Sequence, residues 1–348
     1  MTTTYRAVQA IYPGRLELVE RQAPAPGDGE VLLDVEACGV CGADAADIER
    51  AGASPGRPRV PGHEVVGRIA ALGPGVSSMW SVGQRVGVGR LGGHCGACAQ
   101  CRQGLFNLCA SQPVVGATCD GGYAEMMLAR GTGLVSIPPE LDSHEAAPIL
   151  CAGIATFNAL RKCGAEAGDL VAVLGIGGLG HMAVQYARRM GFKVVAAGRG
   201  PDIAQEALGL GAHVYIDTAT EPLAEALAAM GGAQAIIATI GDAAVVAAAM
   251  AGLAARGKMM LLGICPDALP IVSSHLVGGE RAVAGSLTGS PHETERALRF
   301  SVLADALPSV ETMPLDRAEE AYRRMRSGEA KFRMVLTMDR ADGPAGPA

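Results

Sequence analysis

The chain has 348 residues, too many for one ordinary hydrophobic core, and is 49% hydrophobic, 18% charged and 3% aromatic. A formal net charge of −6 leaves no basic face to neutralise phosphates or anionic lipid, and so few rings offer little for stacking bases. Two soluble domains are expected, with a small-molecule substrate as partner and neither nucleic acid nor a membrane.

In chain order, Met1-Thr-Thr-Thr-Tyr-Arg-Ala-Val shows no apolar run and no small-residue cleavage site, so the cytoplasm is the default location. Residues 5 to 90 read as short strands: RAVQAIYP, RLELVERQ and EVLLDVEACGV alternate apolar with polar positions, with Pro and Gly between them. An antiparallel, partly barrel-like domain fits that pattern. The segment GGHCGACAQCRQGLFNLC is Gly-rich, has little apolar periodicity and reads as a loop. From about Ala152 to Gly289, apolar strands alternate with Ala-rich amphipathic helices (LVAVLG, HMAVQYARRMG, KVVAAG, IAQEALGLGA, AIIATI), which predicts βαβ winding and a parallel sheet. Ala243 to Ala255 is the most apolar stretch; it falls short of the ~20 residues needed to span a bilayer and reads as a buried helix. Towards the end, AEEAYRRMRSG reads as a helix and FRMVLTM as a strand with the chemistry of the first domain, followed by DRADGPAGPA as a disordered tail.

Ten cysteines are many for a reducing compartment and turn attention to metal chemistry. Cys95, Cys98, Cys101 and Cys109 form C-x2-C-x2-C-x7-C within one loop. Four thiolates at that spacing suit a closed tetrahedral zinc site with a structural role; disulfides or four ordinary cysteines would leave free thiols in water. Gly175-Ile176-Gly177-Gly178-Leu179-Gly180 supplies G-x-G-x-x-G directly after the strand LVAVLG and before a helix, the context in which this motif cradles a dinucleotide pyrophosphate. The alternative is a merely flexible turn. At the end of the next strand, an acid would bind the ribose 2′-OH of NAD. Gly198 stands in that place and Arg199 follows it, which favours NADP(H), unless Arg199 is only a solvated loop cation.

With these pieces placed, the chain resembles the zinc-dependent medium-chain dehydrogenase/reductase (alcohol dehydrogenase) family over essentially its whole length. Cys38-Gly39-Val40-Cys41-Gly42-Ala43-Asp44 is similar to the family's first zinc segment, Pro61-Gly62-His63-Glu64-Val65-Val66-Gly67 to its second, and Pro148-Ile149-Leu150-Cys151-Ala152-Gly153 to its third. The resemblance implies an α/β architecture: a β-rich, GroES-like catalytic domain (residues 1–152 and 290–348, with 339–348 as the tail) and a doubly wound Rossmann domain (153–289). It further implies a catalytic zinc on Cys41, His63 and Cys151 with an open fourth position, Glu64 able to approach that metal, and Asp44 orienting a ligand histidine. Read without it, Cys41 and Cys151 fit small buried residues, His63 a hydrogen-bonded turn histidine, and Glu64 and Asp44 surface ion-pair partners.

By the same resemblance, Arg333 reaches the cofactor pyrophosphate, or else pairs with an acid; Leu91 and Ile264 line the pocket and cofactor site, or else are core. Two zinc ions, NADP(H) and a homodimer or homotetramer complete the expectation. Cys38, Cys119, Cys163 and Cys265 read as structural, Trp80 as packing, and His181 as a helix-start residue and not a ligand.

Three positions depart from the family pattern. Ala43 stands where Ser or Thr usually relays the alcohol proton, Gly42 replaces a larger neighbour, and Ala155 stands where Thr is common. The main expectation is therefore an NADP(H)-dependent zinc alcohol dehydrogenase or aldehyde reductase. Reduction of an imine or of a conjugated C=C bond is the alternative, because neither leaves an alkoxide that needs the lost hydroxyl. A cofactor-binding homologue without catalysis is the third.

Overall fold

In the computed structural model, which describes residues 4–11, 14–49 and 58–338, the long strand Glu30–Val40 organises the first of two compact units. One edge pairs antiparallel with Glu64–Leu72. The other edge is shared end to end: Met126–Arg130 takes its first half and Arg333–Thr337 its last. Arg85–Val88 and Leu134–Ser136 extend the sheet on one side, and Val310–Pro314 extends it on the other by the one parallel pairing in this sheet. Thr4–Ile11 and Arg15–Gln22 form a separate antiparallel pair. The apolar alternation of these strands feeds a core around Val31, Leu33, Ile69, Tyr123 and Met127. The C-terminal strand therefore returns to the first unit, placing Leu336 opposite Cys38. Tyr12 and Pro13 of the first predicted strand, and the tail 339–348, lie outside the described residues.

The second unit holds a six-stranded, wholly parallel sheet. Its order is Val214–Asp217, Lys193–Gly198, Leu170–Leu174, Ala233–Ala238, Leu253–Leu261, Ala282–Gly285. Leu170–Leu174 is buried at every position, as a parallel strand covered on both faces should be. From it the chain winds outward to one side and then, through Ala233–Ala238, to the other. The reversal lies between these two strands, and ligands of such sheets bind outside the carboxyl ends of the strands at that point.

Two segments differ from the sequence expectation. Ala243–Ala255 is not one helix: the helix ends at Ala249, a 3-10 turn covers Met250–Gly252, and Leu253 begins a strand. Asp242 caps the start through its carboxylate and the Val245 N–H, whereas Gly252 packs so closely on Leu227 and Ala224 that a Cβ there would come within 2.9 Å of Leu227. Pairing of Leu253 with Ala233 outweighs the helix preference of the alanines. Residues 299–308, expected with the first unit, group with the second. Phe300 packs on Phe157 and Tyr186, with ring centroids 5.3 and 5.5 Å apart, and the Tyr186 and Ser301 hydroxyls are hydrogen-bonded at 2.6 Å.

Candidate functional site

Cys41, His63, Glu64 and Cys151 each offer one donor atom, and the four atoms lie within 4.8 Å of one another. Cys41 and Cys151 are 110 positions apart in sequence, yet their Sγ atoms are separated by 3.9 Å. A disulfide needs ~2.05 Å, whereas two thiolates ~2.3 Å from one tetrahedral zinc sit about 3.8 Å apart. The spacing therefore fits a shared metal.

The donors are held by a buried network. Asp44 is fully buried; its carboxylate faces the His63 Nδ1 at 2.6 Å and accepts from the Cys41 N–H at 3.0 Å and from the Tyr123 hydroxyl at 3.1 Å. With Nδ1–H committed to that carboxylate, His63 Nε2 presents a lone pair, and it is buried without any hydrogen-bond partner. An orphaned imidazole nitrogen facing two thiols is costly unless a metal accepts it. Gly62 makes this placement possible: its φ is +95°, and a Cβ there would strike the Tyr123 ring and Cys38 Sγ. Gly39 leaves the room that Glu64 occupies, since a Cβ at Gly39 would lie 1.9 Å from Glu64 Oε2. Cys151 sits within a π-helical stretch, Ile149–Gly153, inserted between Pro148 and the helix Ile154–Lys162; such bulges re-aim side chains locally.

Glu64 pairs with Arg333 in the same buried region, and Glu64 Oε2 is left without a partner. Burial pushes the Glu64 carboxyl up to about 7 even though the Arg333 charge pulls it down. A hydrogen bond with the Cys151 thiol holds the Cys41 thiol well below its ordinary range.

The second cluster is local. Cys95, Cys98, Cys101 and Cys109 also bring their sulfurs within 4.8 Å, with Cys95 at 3.6 Å from Cys109 and 4.0 Å from Cys101. The loop winds through a short helix, Ala99–Arg102, and a 3-10 turn, Phe106–Leu108. Backbone N–H groups of Cys98, Cys95 and Ser111 point at cysteine sulfurs. The N–H groups of Ala110 and Cys101 hold the Cys98 thiol down to about 6, while burial pushes Cys101 up to about 12. Among the described residues, no cysteine is disulfide-bonded.

In the second unit, the turn after Leu174 is tight at two glycines and open at a third. Gly175 has φ +95°, and Gly180 lies so close to it that a Cβ would fall 1.8 Å from the Gly175 carbonyl oxygen. The Thr239 hydroxyl donates to the Leu174 and Gly175 carbonyls and fixes the bend. A Cβ at Gly177, by contrast, would meet no protein atom within 4 Å, so its openness has no packing cause and suits close approach of a phosphate to the helix Gly180–Arg189.

Comparison with known proteins agrees with this geometry. Residues 27–139 match the family model described as alcohol dehydrogenase GroES-like domain, and residues 178–302 the one described as zinc-binding dehydrogenase. The chain is 43% identical over 314 residues to the alcohol dehydrogenase notN of Aspergillus sp. (strain MF297-2), covering 90% of this chain and 92% of that protein. The chain belongs to the zinc-dependent medium-chain dehydrogenase/reductase family. Its fold is similar to the CAD from Helicobacter pylori complexed with NADP(H), with TM-score 0.84, 28% identity and coverage of 97% of this chain and 99% of that one. It is likewise similar to the acetophenone reductase from Geotrichum candidum NBRC 4597 in complex with NAD, with TM-score 0.85, 27% identity and coverage of 97% and 98%. As a medium-chain dehydrogenase/reductase, the protein is an oxidoreductase of the type that uses zinc and a nicotinamide cofactor.

Several residues expected from the sequence lie elsewhere than in the two clusters. Arg333 is buried against Glu64. Ile264 is 89% exposed, so it is not core; Leu91 is half-buried and bridges Val114. Gly198 is buried at the end of its strand and Arg199 is exposed. Trp80 is buried, with its indole N–H donating to the Gly131 carbonyl, and His181 is buried behind the glycine turn. Sequence reading missed Thr239, which ties the glycine turn, and the pair Arg90–Asp47, joined at 2.5 Å one helical turn beyond Ala43. Each is an ordinary polar residue in its local sequence, and its role arises from a neighbour far along the chain.

Proposed function

We propose that this medium-chain dehydrogenase/reductase interconverts a small alcohol and its aldehyde with NADP(H), using one metal-binding centre for chemistry and the four-cysteine loop for structure. The observation that carries this reading is the buried donor set of Cys41, His63, Glu64 and Cys151 with its orphaned His63 Nε2. Cys41, His63 and Cys151 would hold zinc, with Glu64 able to approach it. Zinc supplies Lewis acidity toward a carbonyl oxygen, and the nicotinamide supplies or accepts the hydride.

The chain's own residues orient and shield. Asp44 keeps His63 in the tautomer that leaves Nε2 free. Arg333 neutralises the buried Glu64 charge next to the donors. The turn Gly175, Ile176, Gly177, Gly178, Leu179, Gly180 receives the pyrophosphate, and Arg199, exposed beyond Gly198, suits a ribose 2′-phosphate. Ile264, open to solvent in the loop three residues beyond the strand Leu253–Leu261, remains a candidate contact for the cofactor. A homodimer or homotetramer in the cytoplasm completes the proposal; among the described residues, no helix is long and apolar enough to cross a membrane.

One observation favours a second chemistry. Ala43 carries no hydroxyl, and a Cβ placed on neighbouring Gly42 would meet nothing within 4 Å. A positioned proton-transfer group is commonly worth ~10²–10⁴-fold, so an alkoxide product would feel its loss unless water fills the open space. Reduction of a C=N bond or of a conjugated C=C bond would not. The test is NADPH oxidation by zinc-loaded protein on matched aldehyde, cyclic imine and conjugated enal substrates, comparing wild type with Ala43→Ser. Good aldehyde turnover that the new hydroxyl barely changes supports the alcohol/aldehyde reading. Turnover of imine or enal, with aldehyde reduced only by Ala43→Ser, replaces it with the second chemistry. NADPH binding without turnover of any class overturns both.

A further inference from the structure

Gly198 ends the second parallel strand, and the neighbouring strand places Asp217 opposite it. A Cβ built on Gly198 would lie 2.9 Å from the Tyr215 hydroxyl, 3.1 Å from Ile203 Cγ2 and 3.2 Å from Tyr215 Cε2. The place where a side chain at 198 would begin is therefore filled by the end of the Tyr215 ring. That ring end is anchored: the Tyr215 hydroxyl donates to the Gly200 carbonyl at 2.6 Å. The Asp217 carboxylate accepts from the Gly200 N–H at 2.7 Å and the Ala219 N–H at 2.9 Å, and Thr218 donates to the Gly198 carbonyl through both its N–H (2.8 Å) and its hydroxyl (3.0 Å). Both backbone neighbours of Arg199 are thus fixed from the adjacent strand and the turn that follows it. Arg199 itself is exposed and has no partner among the described residues.

We infer that Tyr215 is a specificity-determining residue for the adenosine half of the cofactor. Its hydroxyl occupies the root of the position from which a carboxylate would bind a ribose 2′-OH, and its bond to Gly200 holds the turn that presents Arg199 to a 2′-phosphate. The sequence position that tells NAD from NADP is not free to change by itself, because a residue on the neighbouring strand has taken the space. This inference rests on the NADP(H) reading above.

The experiment titrates NADPH and NADH into wild type, Arg199→Ala, Gly198→Asp, Tyr215→Ala and the double variant Gly198→Asp/Tyr215→Ala, reading Kd by calorimetry. Wild type is expected to prefer NADPH, and Arg199→Ala to lose about 10–100-fold of that preference, the size of a charge-assisted hydrogen bond. A wild-type preference for NADH refutes the NADP(H) reading itself, and the two wild-type titrations alone reveal it. Given an NADPH preference, Gly198→Asp alone is expected to weaken both cofactors without gaining NADH, whereas the double variant binds NADH at least ~10-fold tighter than Gly198→Asp does. Gly198→Asp gaining NADH affinity as fully as the double variant overturns the role of Tyr215, and so does a double variant with no gain over Gly198→Asp. Gly198→Ala, with and without Tyr215→Ala, adds only the colliding carbon and serves if the aspartate variants do not fold. A loss of NADPH affinity in Gly198→Ala that Tyr215→Ala relieves supports the inference; no loss overturns it.

Discussion

The four-cysteine loop draws its donors from a run in which Cys95 and Cys109 are 14 positions apart, whereas Cys41 and Cys151 are 110 apart and meet through strand pairing and a π-helical stretch. The loop's sulfurs are served by backbone N–H groups of its own turns, and Cys95 is exposed. Around the other cluster, Cys41, His63, Glu64 and Asp44 are buried, and their support comes from side chains: Asp44, Tyr123 and Arg333. Under the proposed function, these two donor sets of similar compactness serve different ends. A local loop with a closed set of four thiols can only cross-link its own chain. A buried set with an orphaned nitrogen and a carboxylate that burial raises to about 7 suits the reaction centre proposed above.

The comparison breaks most visibly at His63. His63→Ala removes the one imidazole donor and should lower kcat/KM by about 10³-fold or more, as expected when several kcal/mol of charge stabilisation is lost. Metal analysis of the purified variant should then show one zinc per chain fewer than wild type. If activity survives, the buried cluster is not the reaction centre. Cys98→Ser should do the reverse. A structural zinc in the loop would contribute to folding, so losing ~3 kcal/mol of it would lower Tm by about 6–12 °C, while the specific activity of the folded fraction changes little. Calorimetric melting alongside a rate assay separates these outcomes, and a Cys98→Ser variant that melts like wild type but is inactive would exchange the two roles.

The smallest expected effect sharpens the difference in support. Asp44→Asn keeps the shape but removes the charge that fixes His63, and should weaken zinc binding at the buried cluster about 10–100-fold while leaving the loop's metal in place. Competition with a chromogenic chelator reads both affinities in one titration. An unchanged affinity would mean that Asp44 acts in packing alone.

Much of this protein was legible in its sequence because the signals are local. The period-two strands before residue 90, the glycine turn between a strand and a helix, and the four cysteines in one loop each carry their meaning within about twenty neighbouring residues. The segments around Cys41, His63 and Cys151 could be recognised only through a family resemblance, since nothing in their spacing joins them. The stretch from Ala243 misled for the same reason in reverse. Its alanines favour a helix, but Gly252 and the pairing of Leu253 with Ala233 end it early. Residues 291–304 fall within the span expected for the first unit and form one helix, whose second half packs through Phe300 on Phe157 and Tyr186.

The sequence by itself determined the fold class, the local thiol cluster and the glycine turn between strand and helix, because backbone propensity and short spacing act over a few residues. Tertiary structure alone decided that Asp44 grips His63 and Cys41 together, that Arg333 lies against Glu64, and that Tyr215 fills the space beside Gly198. Those contacts join residues from separate strands and helices, and their energies depend on burial and distance, which no local pattern encodes.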